Sequence, residues 1–135
     1  MIKRIIQISC TVILVLLMLS CKNAKQKLQE YVTTYNSTAA SFKADDVTLT
    51  TARGYINDNK IELRFETSLE QNESNRVKAN TSFPKLLKEM IDDNKLPKEL
   101  VEDGIQFDAY FLADDNTVLV KEIINKESVG ELLQQ

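Results

Sequence analysis

The chain has 135 residues, 17 basic and 20 acidic side chains and a formal net charge of −3, a length that suits one domain around one core. It has no histidine and two cysteines, Cys10 and Cys21. It therefore lacks the commonest general base and transition-metal ligand, and can build neither a Ser-His nor a Cys-His arrangement. Its basic residues are dispersed along the chain, which argues against the concentrated cationic footprint of a nucleic-acid binder.

The first element is a leader. Lys3 and Arg4 precede an uninterrupted apolar stretch from Thr11 to Leu19, closed by the run Met18-Leu19-Ser20-Cys21. A basic start, an apolar segment and small residues at its end are the layout of a secretory signal peptide. The segment from Ile5 to Ser20 is broken by Gln7 and is shorter than the ~20 apolar residues that a membrane span needs.

With a cysteine after the expected cut, this region resembles bacterial lipoprotein precursors, whose lipobox reads roughly Leu-small-small-Cys. Ser20 fits that pattern, and Met18 with Leu19 fits it more loosely. The resemblance covers only the leader. It implies that residues 1–20 are removed, that Cys21 is lipidated, and that residues 21–27 form a short tether to one domain over residues 28–135. Two or more acyl chains hold a bilayer stably, at ~0.8 kcal/mol per buried methylene. Lys22 stands where lipoproteins retained at the inner membrane carry Asp, and no acid follows as far as Lys27. The resemblance thus implies an outer-membrane address facing the periplasm. Losing Lys3 and Arg4 with the leader takes the net charge from −3 to −5. With Cys10 removed and Cys21 acylated, neither a disulfide nor a free thiolate is expected. Lys22, Lys25 and Lys27 read as a solvated tether, with contact to anionic head groups as the alternative.

The domain opens with a helix over residues 24–35, because Leu28, Tyr31, Val32 and Tyr35 recur at helical spacing. Residues 36–46 read as a polar loop. Strand one follows at 47–56, where Val47 and Leu49 alternate with Thr48 and Thr50, and Gly54 suggests a bulge. Asn57-Asp58-Asn59-Lys60 is a turn. Strand two, 61–69, alternates cleanly: Ile61, Leu63, Phe65, Thr67 and Leu69 against Glu62, Arg64, Glu66 and Ser68.

Residues 70–81 are polar, with at most a helical turn over 76–79. Ser82 reads as the cap of the next helix, with Pro84 in its first turn and Phe83, Leu86, Leu87, Met90 and Ile91 as its stripe. A short helix from Pro97 ends at Gly104. Strand three, 105–112, places Ile105, Phe107, Ala109 and Phe111 on one side and Gln106, Asp108, Tyr110 and Leu112 on the other. A loop over 113–117 leads to strand four, 118–124, whose apolar residues on both faces predict a central position. Ser128 and Glu131 have capping-box spacing before a last short helix. The order α-β-β-α-α-β-β-α predicts an α+β domain: one antiparallel sheet of about four strands with helices packed on one face.

Chemistry-bearing patterns are few. The acidic pairs Asp45-Asp46, Asp92-Asp93 and Asp114-Asp115 lie at element ends, where Asp favours turns, and none has the spacing of a calcium loop. No metal site and no cofactor are expected, and there is no glycine-rich phosphate loop among Gly54, Gly104 and Gly130. The sequons at Asn36, Asn72 and Asn80 read as chance matches. Arg64, Asp108 and Tyr110 are the candidate partner surface, on the polar faces of strands two and three, since Arg and Tyr are interface residues. The functional expectation is a non-enzymatic binding or assembly module whose partners are the bilayer, through Cys21, and an envelope protein or ligand. The alternative is a carboxylate-dependent hydrolase of an envelope glycan or peptide, with Asp108 as its best acid.

Overall fold

The computed structural model describes residues 23–135; Cys21, Cys10 and the leader lie outside them. Helix α1 (Ala24–Thr38) begins with a complete capping box, in which Asn23 accepts from the Gln26 N–H and the Gln26 side chain accepts from the Asn23 N–H. It runs three residues beyond the predicted end and so takes in Asn36. Lys27, read from the sequence as tether, is part of the fold: its ammonium lies 2.9 Å from both Glu99 and Asp103. Those hydrogen bonds, Asp103 first, hold Lys27 above the ordinary lysine range.

A 3-10 turn at Ala39–Ser41 leads to strand β1 (Val47–Tyr55). A second turn, Ile56–Asp58, with Asn59 in the left-handed region at φ 48°, closes the hairpin to β2 (Lys60–Thr67). Helix α2 (Glu73–Asp92) and the short α3 (Lys98–Glu102) follow. Gly104, at φ +93°, then turns the chain into β3 (Gln106–Leu112). Strand β4 (Val118–Ile124) and helix α4 (Val129–Leu133) complete the domain.

The four strands lie in the order β1-β2-β3-β4, with helices on one side. The α+β architecture and its element order match the sequence expectation, but the sheet is mixed. β1/β2 and β3/β4 are antiparallel, whereas β2 and β3 are parallel, with Lys60 beside Gln106 and Glu66 beside Leu112. The physical reason is the connection. α2 and α3 carry the chain back along the sheet, a crossover of the length that parallel pairing requires. It ends where it began: the Gln106 N–H donates to the Asn59 carbonyl at 2.9 Å.

Strand β4 is at the edge, not central. Its apolar content on both faces comes from a bulge opposite Phe111/Leu112. Leu119 and Val120 both join the main core, while Val118 and Ile123 are exposed. Gly54 makes no bulge; the irregularity in β1 falls between Val47 and Leu49. As a result Thr50 and Ala52 face the helices and Leu49 faces solvent. A Cβ on Gly54 would lie 2.8 Å from Leu28 Cδ2, so the glycine is what lets α1 lie close against β1.

Helix α2 starts at Glu73, capped by the Asn72 side chain on the Asn75 N–H, and not at Ser82. Pro84 is buried inside it. The stripe Ala79, Phe83, Leu87 and Met90, all buried, runs through the proline, and this packing outweighs the lost N–H. At α4 the Ser128 hydroxyl does not cap. It donates to the Ile123 carbonyl at 2.7 Å and accepts from the Asn125 N–H at 3.0 Å. Between helices and sheet the core holds a chain of rings: Phe42–Phe65, Phe65–Phe83 and Phe83–Phe111, with centroids 5.8, 5.5 and 4.9 Å apart.

Candidate functional site

Strand alternation sends Ile61, Leu63 and Phe65 of β2, and Phe107, Ala109 and Phe111 of β3, into the core. It sends the residues between them to the opposite face of the sheet. That face carries all three candidate side chains. Arg64 and Tyr110 are direct neighbours across the parallel β2/β3 pair, and Asp108 lies one step along β3 on the same side.

The face is built in rows. In one row Thr51, Arg64, Tyr110 and Lys121 stand side by side. In the next stand Arg53, Glu62, Asp108 and Ile123, and in the third Tyr55, Lys60 and Gln106. Asp108 is buried. Its Oδ1 accepts from Gln106 Nε2 at 2.7 Å, and its Oδ2 lies 3.7 Å from Lys60 Nζ and 3.9 Å from Lys121 Nζ. Arg64 lies 3.6 Å from Glu62 Oε1, and the Tyr55 hydroxyl donates to Glu62 Oε2 at 3.4 Å. Cations sit over both tyrosine rings: Lys60 and Arg53 over Tyr55 at 4.9 and 5.4 Å, and Lys121 over Tyr110 at 5.2 Å. Contact with the Tyr110 side chain, then the charges of Asp108 and Glu62, holds Lys121 above its ordinary range.

In the sequence Glu62 reads only as a flanking charge beside Arg64, and Lys60 and Lys121 carry no signal. No local pattern could link them to Asp108, because the link depends on the parallel β2/β3 register and on β4 lying beside β3. Chemically, Asp108 sits among two ammonium groups and an amide, not in the apolar pocket that a general acid needs. The arrangement suits recognition of charge and of aromatic edges.

The acidic pairs serve the backbone. Asp46 adopts φ 64° and pairs with Lys78 at 3.0 Å. Asp93 ends α2. Asp115 accepts from the Thr117 N–H and hydroxyl at 3.1 and 2.6 Å, which lowers its pKa. Among the described residues no three His, Cys, Asp or Glu side chains gather as a metal site, and no helix is long and apolar enough to cross a membrane.

On the helical side, a cleft of about 620 Å³ opens between α1 and residues 94–100, with Tyr31, Tyr35 and Phe42 in its wall. The Tyr31 hydroxyl donates to the Lys95 carbonyl at 2.9 Å, and the Tyr35 and Thr50 hydroxyls share a hydrogen bond of 2.6 Å. Both phenols are thus engaged in holding α1 to its neighbours. Burial raises the pKa of both, Tyr35 to about 12. In the unfolded chain a tyrosine ionises near pH 10, so between pH 10 and about 12 the folded state holds a proton that the unfolded state has lost. Stability from Tyr35 is therefore full below pH 10 and falls as pH rises through this window, by at most about 1.4 kcal/mol per unit. Tyr35→Phe should flatten the decline relative to wild type. Parallel curves from urea titrations at pH 9.5, 10.5 and 11.5 would contradict the burial of the phenol.

No protein-family model matches the chain, and no curated protein matches it in sequence. Among solved structures, the type II secretion system pilotin AspS from Vibrio cholerae is similar over 76% of this chain and 95% of that one, at 12% identity and a TM-score of 0.39. At that score the two backbones agree too little for the likeness to bear on function.

Proposed function

We propose that this chain is an envelope lipoprotein, held on a membrane through acylated Cys21, that works by binding an envelope protein and not by turnover. The observation that supports binding most directly is the face of the sheet that no helix among the described residues covers, where Arg64, Tyr110 and Asp108 stand together. A sheet with helices on one side leaves its second face for a partner, and Arg and Tyr are the side chains that most often anchor such contacts. The anchor rests on the resemblance of the leader, with Lys22 favouring the outer membrane and a periplasm-facing domain.

Three measurements test this reading. Cells grown with labelled palmitate should label the wild-type chain but not Cys21→Ala; equal labelling would remove the anchor. Arg64→Ala and Tyr110→Ala should keep the thermal transition within a few degrees while weakening capture of a partner from solubilised membranes. Glycan or peptide hydrolysis by the purified protein, abolished by Asp108→Asn, would replace the binding reading with the hydrolase.

A further inference from the structure

The open face is cationic at its surface, although the chain as a whole is acidic. On it stand Arg53, Lys60, Arg64 and Lys121 against Glu62, Glu66 and Asp108, in a chain of net charge −3. The charges are also layered by depth. The side chains of Asp108 and Glu62 are 7% and 18% exposed, whereas those of Lys60, Lys121 and Arg64 are 31%, 42% and 43% exposed. A partner approaching the sheet meets the cations first. Nor are those cations spent on the acids beneath them. At 3.6–3.9 Å their contacts are longer than the ~2.7–2.9 Å of a charge-assisted hydrogen bond, so these ion pairs leave N–H donors above the sheet, although Lys121 also contacts Tyr110.

We infer that the partner docks on this face through an acidic peptide segment in extended conformation; the inference rests on the binding reading above. Charge complementarity selects the acid, and spacing selects the segment. The cations sit on β1, β2 and β4, spread across four strands about 4.8 Å apart, so the outermost stand roughly 14 Å from one another. One carboxylate or phosphate cannot reach them all. A strand-like peptide presents a side chain on one face about every 6.8 Å, so two or three acids in alternation cover the patch, with Tyr55 and Tyr110 beside them.

The test uses the full-length chain in neutral detergent and a fluorescent peptide of five Glu-Ser repeats, with Gln-Ser and Lys-Ser repeats as references. The Glu-Ser peptide should bind best, and added salt should weaken it. The double variant Lys60→Gln/Lys121→Gln should lose about tenfold in affinity while still unfolding in one cooperative transition, lowered by the loss of both cations beside buried Asp108. Equal binding of the Gln-Ser peptide, or full affinity in the double variant, overturns the inference. So does complete displacement by inorganic phosphate, which would mark a small-anion site, or a dimer in sedimentation that the double variant dissolves, which would mark a second copy as the occupant. Capture from solubilised membranes separates the two levels. Capture that survives Lys60→Gln/Lys121→Gln but is lost in Tyr110→Ala refutes the acidic segment alone, whereas capture that survives both refutes this face as the docking site.

Discussion

Phe65→Ala is expected to lower the unfolding free energy by about 3–5 kcal/mol, the range for truncating a fully buried aromatic ring. Phe65 has no exposed surface and sits between Phe42 and Phe83, so its removal opens a hole walled by a loop, a strand and a helix at once. These elements come from distant parts of the chain, and a hole shared among three of them cannot be closed by shifting one. Phe107→Ala should cost a similar amount, because Phe107 is equally buried and meets the Tyr31 ring edge-on at 5.4 Å. Tyr110→Ala, one strand position from Phe111 but on the open face, should cost far less. Urea titrations check this through the midpoint at constant slope. Unchanged midpoints for both phenylalanine variants would mean that β2 and β3 present the other face to the core.

That prediction could be framed from the sequence because β2 and β3 follow strict two-residue alternation. Alternation alone places Phe65 and Phe107 inside, and Arg64, Asp108 and Tyr110 outside, whatever the pairing. What alternation cannot encode is which strands are neighbours. A hairpin announces itself by a short turn, as at Asn57-Asp58-Asn59, but the β2/β3 pair is formed across two helices, and its parallel sense follows from the path of that crossover. The row joining Glu62 to Asp108 was illegible for this reason. So was the convergence of Lys60 and Lys121 on one carboxylate.

Other misreadings have local causes. Proline at the start of a helix is so common that Pro84 hides the helical residues 73–82, although Ala79 already continues the stripe four positions before Phe83. In β1 the buried positions are Thr50 and Ala52, with Val47 half-buried and Leu49 exposed; the shift of register between Val47 and Leu49 sets the facing, and the inward hydroxyl of Thr50 finds Tyr35. A threonine looks polar until its partner is known. In β4 the bulge turned both Leu119 and Val120 toward the helices, and a run of apolar residues bent by a bulge has the same composition as a strand buried on two faces.

The least visible feature of the sequence carries the next largest expected effect. Asn36 sits on α1, in a stretch that composition marks as loop, and its amide acts as a stand-in for a fifth strand. Its Nδ2 donates to the Ala52 carbonyl at 2.9 Å, and its Oδ1 accepts from the Ala52 N–H at 2.8 Å. β1 is an edge strand, and Ala52 is one of its buried residues, so these two backbone groups, part-buried beneath the Asn36 amide, have no partner strand on that side. Asn36→Ala would orphan both. The full cost of a buried unsatisfied group is about 1–3 kcal/mol, and since Asn36 is itself exposed water reaches both groups, so the loss should be about 1–3 kcal/mol in all. Asn36→Asp separates the two bonds, since a carboxylate still accepts from the N–H but turns a second acceptor toward the carbonyl. It should be destabilised too, and most at neutral pH. A bare edge is also a template for pairing with another chain, so Asn36→Ala should self-associate with rising concentration where the wild type does not. Denaturation and sedimentation measured together decide the matter. Wild-type stability in Asn36→Ala would show that water replaces the amide at no cost, and the clamp would then have no part in holding α1 to the sheet.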